Sequence, residues 1–238
     1  MRLSPATPSN ITSSTIHCSA PSKLILSGEH AVLYGCPALS MAIGLSTHCT
    51  LTIASPQNAA PATFDIHLED FELQSTFDFS EWQQQALQIA QRFQEFKQNA
   101  RPINQVLTSP FDLILITLWT FHKTHPITEQ NWQIHIHSEV PIGRGLGSSA
   151  GVIVSLLAGL FRAHQQTVSA KQLLNLAKWV ESYQHGSSSG LDPATLIHAG
   201  LLKYQISEPI QTLPITPLTA WLIDTGTPQS HTGECVQA

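Results

Sequence analysis

Alternation of hydrophobic and polar residues marks several strands along this chain. Ile16, Cys18 and Ala20 alternate with polar neighbours, a pattern typical of a strand with one buried face. The same alternation, or short apolar runs bounded by turn residues, predicts further strands. These lie at 47–53, 64–68, 71–76, 132–136 and 220–224.

A second periodicity, with apolar residues three and four apart, predicts helices. One helix follows the glycine-rich segment at 143–147, and the others begin with residues that commonly cap a helix N-terminus. These starts are Ser80 with Gln83, Ser109 with Pro110 and Asp112, and Ser169 with Gln172. The chain is therefore predicted to have an early block of strands and a helix-rich second half.

Composition narrows the classes of ligand. The 238 residues are 42% hydrophobic and 11% charged, with a net charge of −5, so a core is expected but no basic field for nucleic acid. The longest apolar stretch, near 152–161, is shorter than the roughly 20 residues that a membrane span needs. The four cysteines lack zinc spacing and are expected to be reduced thiols of a cytoplasmic protein. These features favour a small-molecule ligand.

Three alternating glycines give the strongest chemical signal. Gly143, Gly145 and Gly147 precede Ser148 and Ser149 at a predicted helix start. Glycines let the backbone approach an anion, and the amides at a helix N-terminus then face it. Serine at position 148 excludes G-x-G-x-x-G, and no Walker-type Gly-Lys-Ser/Thr follows. The segment predicts a phosphate-binding loop, with a flexible strand-to-helix turn as the alternative.

Three charged residues are candidates for the rest of a phosphoryl-transfer site. Lys23 adjoins an apolar run, and Glu181 and Asp192 flank a glycine-rich turn at 186–190. Two carboxylates across a sharp turn suit Mg²⁺ binding and the orientation of a hydroxyl. The alternatives are a surface lysine at a strand start and an aspartate that caps a short helix beginning at Pro193.

The same turn also matches Gly-x-Ser-x-Gly, the nucleophile elbow of serine hydrolases, with Ser188 as the nucleophile. That elbow requires a strand before it and a helix after it, whereas an amphipathic helix is predicted before this turn. Later partners are scarce, with Asp224 and His231 as the candidates. The hydrolase hypothesis is therefore the weaker one.

Taken together, these segments resemble the GHMP kinase superfamily, and within it most closely the mevalonate kinases. Residues 21–35 resemble its first motif and 141–150 its phosphate loop, while Glu181 and the turn at 186–192 match its magnesium carboxylate and catalytic aspartate in order and spacing. The resemblance covers nearly all of the chain from about residue 16. It implies an α+β fold of the ribosomal protein S5 domain 2-like type, with a mixed sheet and packed helices.

The resemblance also implies a domain division. Residues 15–224 correspond to the ATP-binding N-terminal domain, 1–14 to a loose arm, and 225–238 to the start of an incomplete C-terminal domain. The late glycine-rich motif of the superfamily is missing, Ser22 stands where glycine is usual, and Ser188 stands where proline is common. A complementing C-terminal fragment or a homodimer is therefore expected.

Matching motif positions imply a role for each site residue. Lys23 and Asp192 would be catalytic, with Asp192 accepting or orienting the hydroxyl proton and Lys23 steadying the developing charge. Mg²⁺ would bind Ser149 and Glu181. The substrate would contact Lys23, Glu29, His30 and Asp192. The ATP phosphates would be held by Gly143, Gly145, Leu146, Gly147, Ser148 and Ser149.

The activity that the resemblance implies is ATP-dependent phosphorylation of mevalonate to 5-phosphomevalonate, a step in isoprenoid precursor biosynthesis. Two alternatives stay open. One is a kinase of the same superfamily that acts on a sugar, homoserine or another mevalonate-pathway intermediate, because a pocket built from loops cannot be read from one sequence. The other is a truncated, non-catalytic nucleotide-binding or interaction module.

Overall fold

The computed structural model describes residues 14–56, 60–141, 143–215, 219, 221 and 223. Its strands are β1 (Ser14–Ser27), β2 (Ala38–Ala54), β3 (Thr63–Leu68), β4 (Leu73–Asp78), β5 (Asn131–Ser138), β6 (Leu201–Tyr204) and β7 (Gln211–Leu213). They form one seven-stranded sheet of order β4-β3-β5-β2-β6-β7, with β1 paired to β2. The sheet is mixed because β3 and β5 run parallel while the other described pairs are antiparallel.

The helices of the described residues are α1 (Phe79–Lys97), α2 (Asp112–His122), α3 (Ser148–Ala163), α4 (Ala170–His185) and α5 (Leu191–His198). They cover one face of the sheet, where Leu51, Phe64 and Ile134 are fully or almost fully buried. In the central strands β2, β3 and β5 the alternate residues, such as His48, Asp65 and His135, lie on the opposite face and are polar. None of the helices described has the length and apolarity to cross a bilayer.

The pairing of β1 with β2 brings a charged residue into the interior. The register shifts between Pro21 and Ser22. Cys18 and Ala20 point into the core before the shift, and Lys23 is buried after it. An irregularity of this kind redirects side chains where a strand bends. After the shift the adjacent residues Ser22 and Lys23 are both buried, so the alternation of buried and exposed side chains breaks at this point and Lys23 enters the interior.

The predicted α+β architecture, a mixed sheet with packed helices, is confirmed. Strands expected at 47–53, 64–68 and 132–136 lie within β2, β3 and β5, and the capping box of Ser169 with Gln172 precedes α4. The sequence pattern does not predict β6 and β7, because strands of four and three residues offer too little periodicity. Most of the strand expected at 220–224 lies outside the described residues. So does the arm at 1–14, except for Ser14, which begins β1.

The predicted capping box at Ser80 and Gln83 is wrong. Helix α1 is capped by Asp78, whose carboxylate accepts the Glu81 N–H at 2.8 Å, while the Glu81 side chain accepts the Asp78 N–H at 3.0 Å. Asp78 has the extended backbone of an N-cap, and the Ser80 hydroxyl donates to its carboxylate at 2.7 Å. The helix therefore begins before Ser80, which lies in its first turn.

Two other predicted boundaries also shift. Helix α2 begins at Asp112 rather than at Ser109 and Pro110, because the Asp112 carboxylate accepts the Thr108 and Ser109 N–H groups and holds that segment in a turn. Strand β4 begins at Leu73 rather than at residue 71, because Glu69–Phe71 form a short 3-10 helix.

Asp78→Ala should lower the free energy of unfolding by about 1 kcal/mol, because it removes the oxygen that caps α1. Gln83→Ala is the matched control, since Gln83 lies inside α1 and alanine favours helix. Urea unfolding followed by circular dichroism measures both variants. An equal loss of stability in the two would contradict the Asp78 cap.

Candidate active site

The glycine-rich loop between β5 and α3 has a backbone suited to an anion. Gly143, Gly145 and Gly147 have φ angles of 74°, 71° and 80°. A Cβ added at Gly143 or Gly145 would meet no atom within 4 Å, so these positions have room beside them. Helix α3 then begins at Ser148 with no side-chain cap. The amides and dipole of such a helix start attract negative charge.

Lys23 joins β1 to this loop. Its backbone N–H donates to the Leu146 carbonyl at 3.1 Å. Its side chain lies against Gly147, where an added Cβ would be 2.9 Å from Lys23 Cγ. The residue is only 4% exposed, which excludes the alternative of a surface lysine. A buried ammonium group requires a partner of opposite charge.

That partner is Asp192. Lys23 Nζ lies 3.2 Å from Asp192 Oδ1, and the aspartate side chain keeps 30% exposure. Asp192 is the second residue of α5, which begins after Gly190 at a φ of 86°. The alternative in which Asp192 caps a helix beginning at Pro193 is therefore wrong. The lysine of the ion pair is therefore buried, whereas the carboxylate is partly exposed to solvent.

Glu181 is the second carboxylate of the site. It lies in α4 and is 6% exposed. The Ser188 hydroxyl donates a hydrogen bond to Glu181 Oε2. Burial, and after it the negative charge of Asp192, raise the pKa of Glu181 to about 7, although Ser188, Lys23 and Lys178 act in the opposite direction. Ionised Glu181 would therefore be stabilised by a cation.

The surroundings of Glu181 suit Mg²⁺ better than a metal ion whose ligands all come from protein side chains. In the described part of the chain, no three His, Cys, Asp or Glu side chains converge as a metal site. Mg²⁺ commonly binds one or two carboxylates and completes its shell with phosphate oxygens and water. Ser149, in the first turn of α3, is the hydroxyl expected beside it. No described hydrogen bond joins Ser149 to Glu181.

The geometry around Ser188 does not fit a serine hydrolase. The turn at 186–190 follows helix α4 rather than a strand, and the nucleophile elbow requires a strand there. The Ser188 hydroxyl is engaged with Glu181 and also accepts the Gly190 N–H at 3.0 Å. The candidate partners Asp224 and His231 lie outside the described residues.

Glu29 and His30 are not brought into contact with the ion pair. Both are exposed in the turn that follows β1, and no described hydrogen bond or ion pair joins them to Lys23 or Asp192. Gly28 makes this turn tight, since an added Cβ would lie 2.6 Å from the Pro37 carbonyl oxygen. Their role in binding a substrate stays a prediction.

Sequence reasoning missed an apolar cleft of about 340 Å³ beside the loop. Ser148 and Ser149 line the cleft where α3 begins, and several apolar side chains form its walls. Among these are Phe71, Ile103, Leu107, Leu113, Ile136 and Val152. They come from separate segments of the chain, so no single motif identifies the cleft.

The β3–β4 connection is held in place as one wall of this cleft. Asp70 Oδ2 accepts the Ser138 N–H at 2.7 Å, and Asp70 Oδ1 lies 3.0 Å from His137 Nδ1. Glu69 Oε2 lies 3.0 Å from His135 Nε2. These contacts attach the connection to the end of β5, just before the glycine loop.

Residues 112–200 match the family model for the GHMP kinases N terminal domain. The chain carries a GHMP kinase N-terminal domain. Mevalonate kinase from Thermococcus sibiricus is 30% identical over 200 residues, which are 84% of this chain and 54% of that protein. Mevalonate kinase from Dictyostelium discoideum is 32% identical over 207 residues, with 75% and 51% covered. The chain thus spans about half the length of these curated relatives.

Solved structures agree with this GHMP kinase domain. The mevalonate kinase of Methanococcus jannaschii superposes with a TM-score of 0.64 at 25% identity, covering 84% of this chain and 56% of the other. Lactococcus lactis galactokinase, complexed with galactose, gives a TM-score of 0.65 at 15% identity, covering 85% and 47%. At 15% identity, the similarity to galactokinase shows only that the two proteins share a fold.

The raised pKa of Glu181 makes the stability of this GHMP kinase domain depend on pH. The pKa of Glu181 is about 7 in the folded chain, whereas the ordinary pKa of a glutamate is 4.5. The unfolded chain therefore loses this proton first, and the contribution of Glu181 to the free energy of unfolding falls by up to about 3 kcal/mol as the pH rises through this window.

Glu181→Gln should remove that fall, because glutamine does not ionise. Without metal, the variant should match the parent chain near pH 4.5 and be more stable at pH 8. Thermal unfolding across this pH range measures the difference. A variant that is less stable than the parent at pH 8 would contradict the raised pKa.

Proposed function

We propose that this chain catalyses ATP-dependent phosphorylation of a small-molecule hydroxyl, with mevalonate as the acceptor and 5-phosphomevalonate as the product. The observation that carries the proposal is the buried Lys23, which contacts both the glycine loop and Asp192. Phosphoryl transfer depends chiefly on positioning and on neutralising charge at the reacting oxygens. A cation fixed between a phosphate loop and a carboxylate provides both.

The loop is assigned to the ATP phosphates. The backbone at Gly143, Gly145, Leu146 and Gly147 would surround them, and Ser148 and Ser149 would present the first amides of α3. The adjoining apolar cleft would take the nucleoside, because it opens at Ser148 and Ser149 and offers apolar side chains for a flat base.

Ser149 and Glu181 are assigned to Mg²⁺. The ion, when bound, would neutralise phosphate charge during transfer. Glu181 must be ionised to bind it, and its pKa of about 7 means that metal binding would release a proton at acid pH. The Ser188 hydroxyl would orient the carboxylate through its bond to Oε2.

Asp192 and Lys23 are assigned to the acceptor. The exposed side of the Asp192 carboxylate would accept the proton of the acceptor hydroxyl. The acceptor oxygen then forms a bond to the γ-phosphorus, and the bond from that phosphorus to the bridging oxygen breaks, releasing ADP. Lys23 would stabilise negative charge on the acceptor oxygen while its salt bridge holds Asp192 in place.

We favour mevalonate as the acceptor because the relatives from Thermococcus sibiricus and Dictyostelium discoideum are mevalonate kinases. Glu29 and His30 are assigned to the acceptor on the similarity of 21–35 to the first motif. The cytoplasm is the proposed compartment, which agrees with the free thiols of Cys18, Cys36 and Cys49.

The reaction is tested with Mg-ATP and mevalonate in a coupled ADP-release assay, with galactose and homoserine as competing acceptors. Asp192→Ala should reduce kcat at least ~100-fold, because a positioned base is lost. Asp65→Ala is the matched control, since Asp65 bonds Gln74 and Thr76 on strand β4. Turnover unaffected by Asp192→Ala would reject the mechanism, and turnover of galactose or homoserine instead of mevalonate would replace the acceptor.

ATP binding tests the nucleoside cleft separately from catalysis. Leu107→Trp should fill part of the cleft and raise the Kd for ATP at least ~10-fold, equivalent to about 1.4 kcal/mol. Leu87→Trp adds the same bulk at an exposed position of α1 and should leave binding unchanged. Isothermal titration calorimetry measures both variants. No binding by the parent chain would reject the kinase function, and equal binding by the two variants would reject the cleft assignment.

A further inference from the structure

We infer that Ser40 and Thr195 are positioning residues for Asp192, and that their buried hydroxyl pair sets where the carboxylate of α5 meets Lys23. The catalytic part of this inference rests on the proposed function, in which Asp192 accepts the proton of the acceptor hydroxyl. The geometric part concerns only the placement of α5 on the sheet, and can be measured without catalysis.

The two hydroxyls form a directed hydrogen-bond chain. Ser40 Oγ and Thr195 Oγ1 lie 2.6 Å apart, and both residues are fully buried. Thr195 Oγ1 donates to the Leu191 carbonyl at 2.8 Å. A hydroxyl has one proton to donate, so Thr195 accepts from Ser40. The chain thus runs from the central strand β2, through α5, to the residue next to Asp192.

The hydroxyl pair and the ion pair attach α5 to the sheet at two points. On the sheet, Lys23 pairs with Ala42 and Ile25 pairs with Ser40, so Lys23 and Ser40 share one face of adjacent strands. On the helix, Asp192 and Thr195 are three residues apart and lie on one side. One attachment alone would let a helix turn about the contact, whereas two fix its rotation and its position along the sheet.

Helix α5 depends on contacts to the sheet, because the hydrogen bonds from the Gly190 and Leu191 N–H groups to the Ser188 and Ser189 hydroxyls are local and do not attach it to β2. It has eight residues, follows Gly190 and has no side-chain cap. Helices this short are unstable in isolation and depend on tertiary contacts. Its apolar residues Leu191 and Ala194 pack in a small cluster, and Leu196 packs in the main core. Apolar contacts nevertheless tolerate sliding more readily than a directed hydrogen bond does.

The test compares Thr195→Val and Ser40→Ala with Thr117→Val. Thr117 is the matched control because it is fully buried and its hydroxyl donates to the Leu113 carbonyl four residues earlier, in α2. Ser40→Ala keeps the bond from Thr195 to Leu191, so it serves if Thr195→Val fails to fold. Thr195→Ser restores the hydroxyl without the methyl group.

The first measurement is the ¹³Cε resonance of Lys23, observed by NMR in lysine-labelled protein. Asp192→Asn provides the resonance position for a disrupted ion pair. Thr195→Val and Ser40→Ala should move the Lys23 resonance towards that position, while Thr195→Ser and Thr117→Val should leave it near that of the parent chain. An unmoved resonance in folded Thr195→Val and Ser40→Ala would overturn the inference.

The second measurement is steady-state kinetics on the same variants. Thr195→Val should lower kcat about 10-fold and leave the KM for ATP within about twofold, since a displacement of about 1 Å at a reacting group has costs of this order or more. A change confined to KM would overturn the inference. A parent chain with no turnover would instead reject the proposed function, and the Lys23 resonance would still decide the positioning role.

Discussion

The candidate site depends on the burial of one ammonium group. Lys23 is almost fully enclosed, and an unpaired charge there would cost several kcal/mol. Asp192 must therefore stay close, and the helix that carries it must be held against β1. The same lysine limits the residue at 147, because its side chain occupies the space that a Cβ would need. A single desolvated cation thus connects the strand, the glycine loop and α5.

The two carboxylates beside this lysine differ in their surroundings. Glu181 is enclosed in α4, and burial disfavours its charge. Asp192 contacts Lys23 and remains partly open to solvent. Similar groups in contrasting environments can serve different tasks in phosphoryl transfer. Under the proposed function, the enclosed carboxylate serves the metal and the open one serves the acceptor.

Sequence patterns predict the elements of this molecule that are determined by residues close together along the chain. The alternation in β2, β3 and β5 and the capping box of α4 were readable because each involves neighbours along the chain. The cap of α1 was misplaced because Ser80 and Asp78 are both good capping residues, and the sequence does not show which one has the extended backbone. The placement of Lys23 and Asp192 in one site follows from motif resemblance, not from periodicity, and their ion pair is visible only in the structure.

The apolar cleft and the hydroxyl pair of Ser40 with Thr195 could not be predicted in the same way. The cleft is assembled from β3, β5, α2, α3, α4 and two connecting segments. Ser40 and Thr195 are 155 positions apart, and no pattern in the residues next to either one indicates that the two hydroxyls meet. Such features arise from tertiary packing, which a single sequence does not reveal.

The register shift between β1 and β2 makes the number of residues in this hairpin as important as their identity. Cys18 and Ala20 fit the core on one side of the shift, and Lys23 fits the site on the other. Deleting or inserting one residue between them would reverse the face of one group, since side chains alternate along a strand. Homologues that diverge freely by substitution should therefore keep the spacing between these residues. An engineer who alters this hairpin should treat that spacing as fixed.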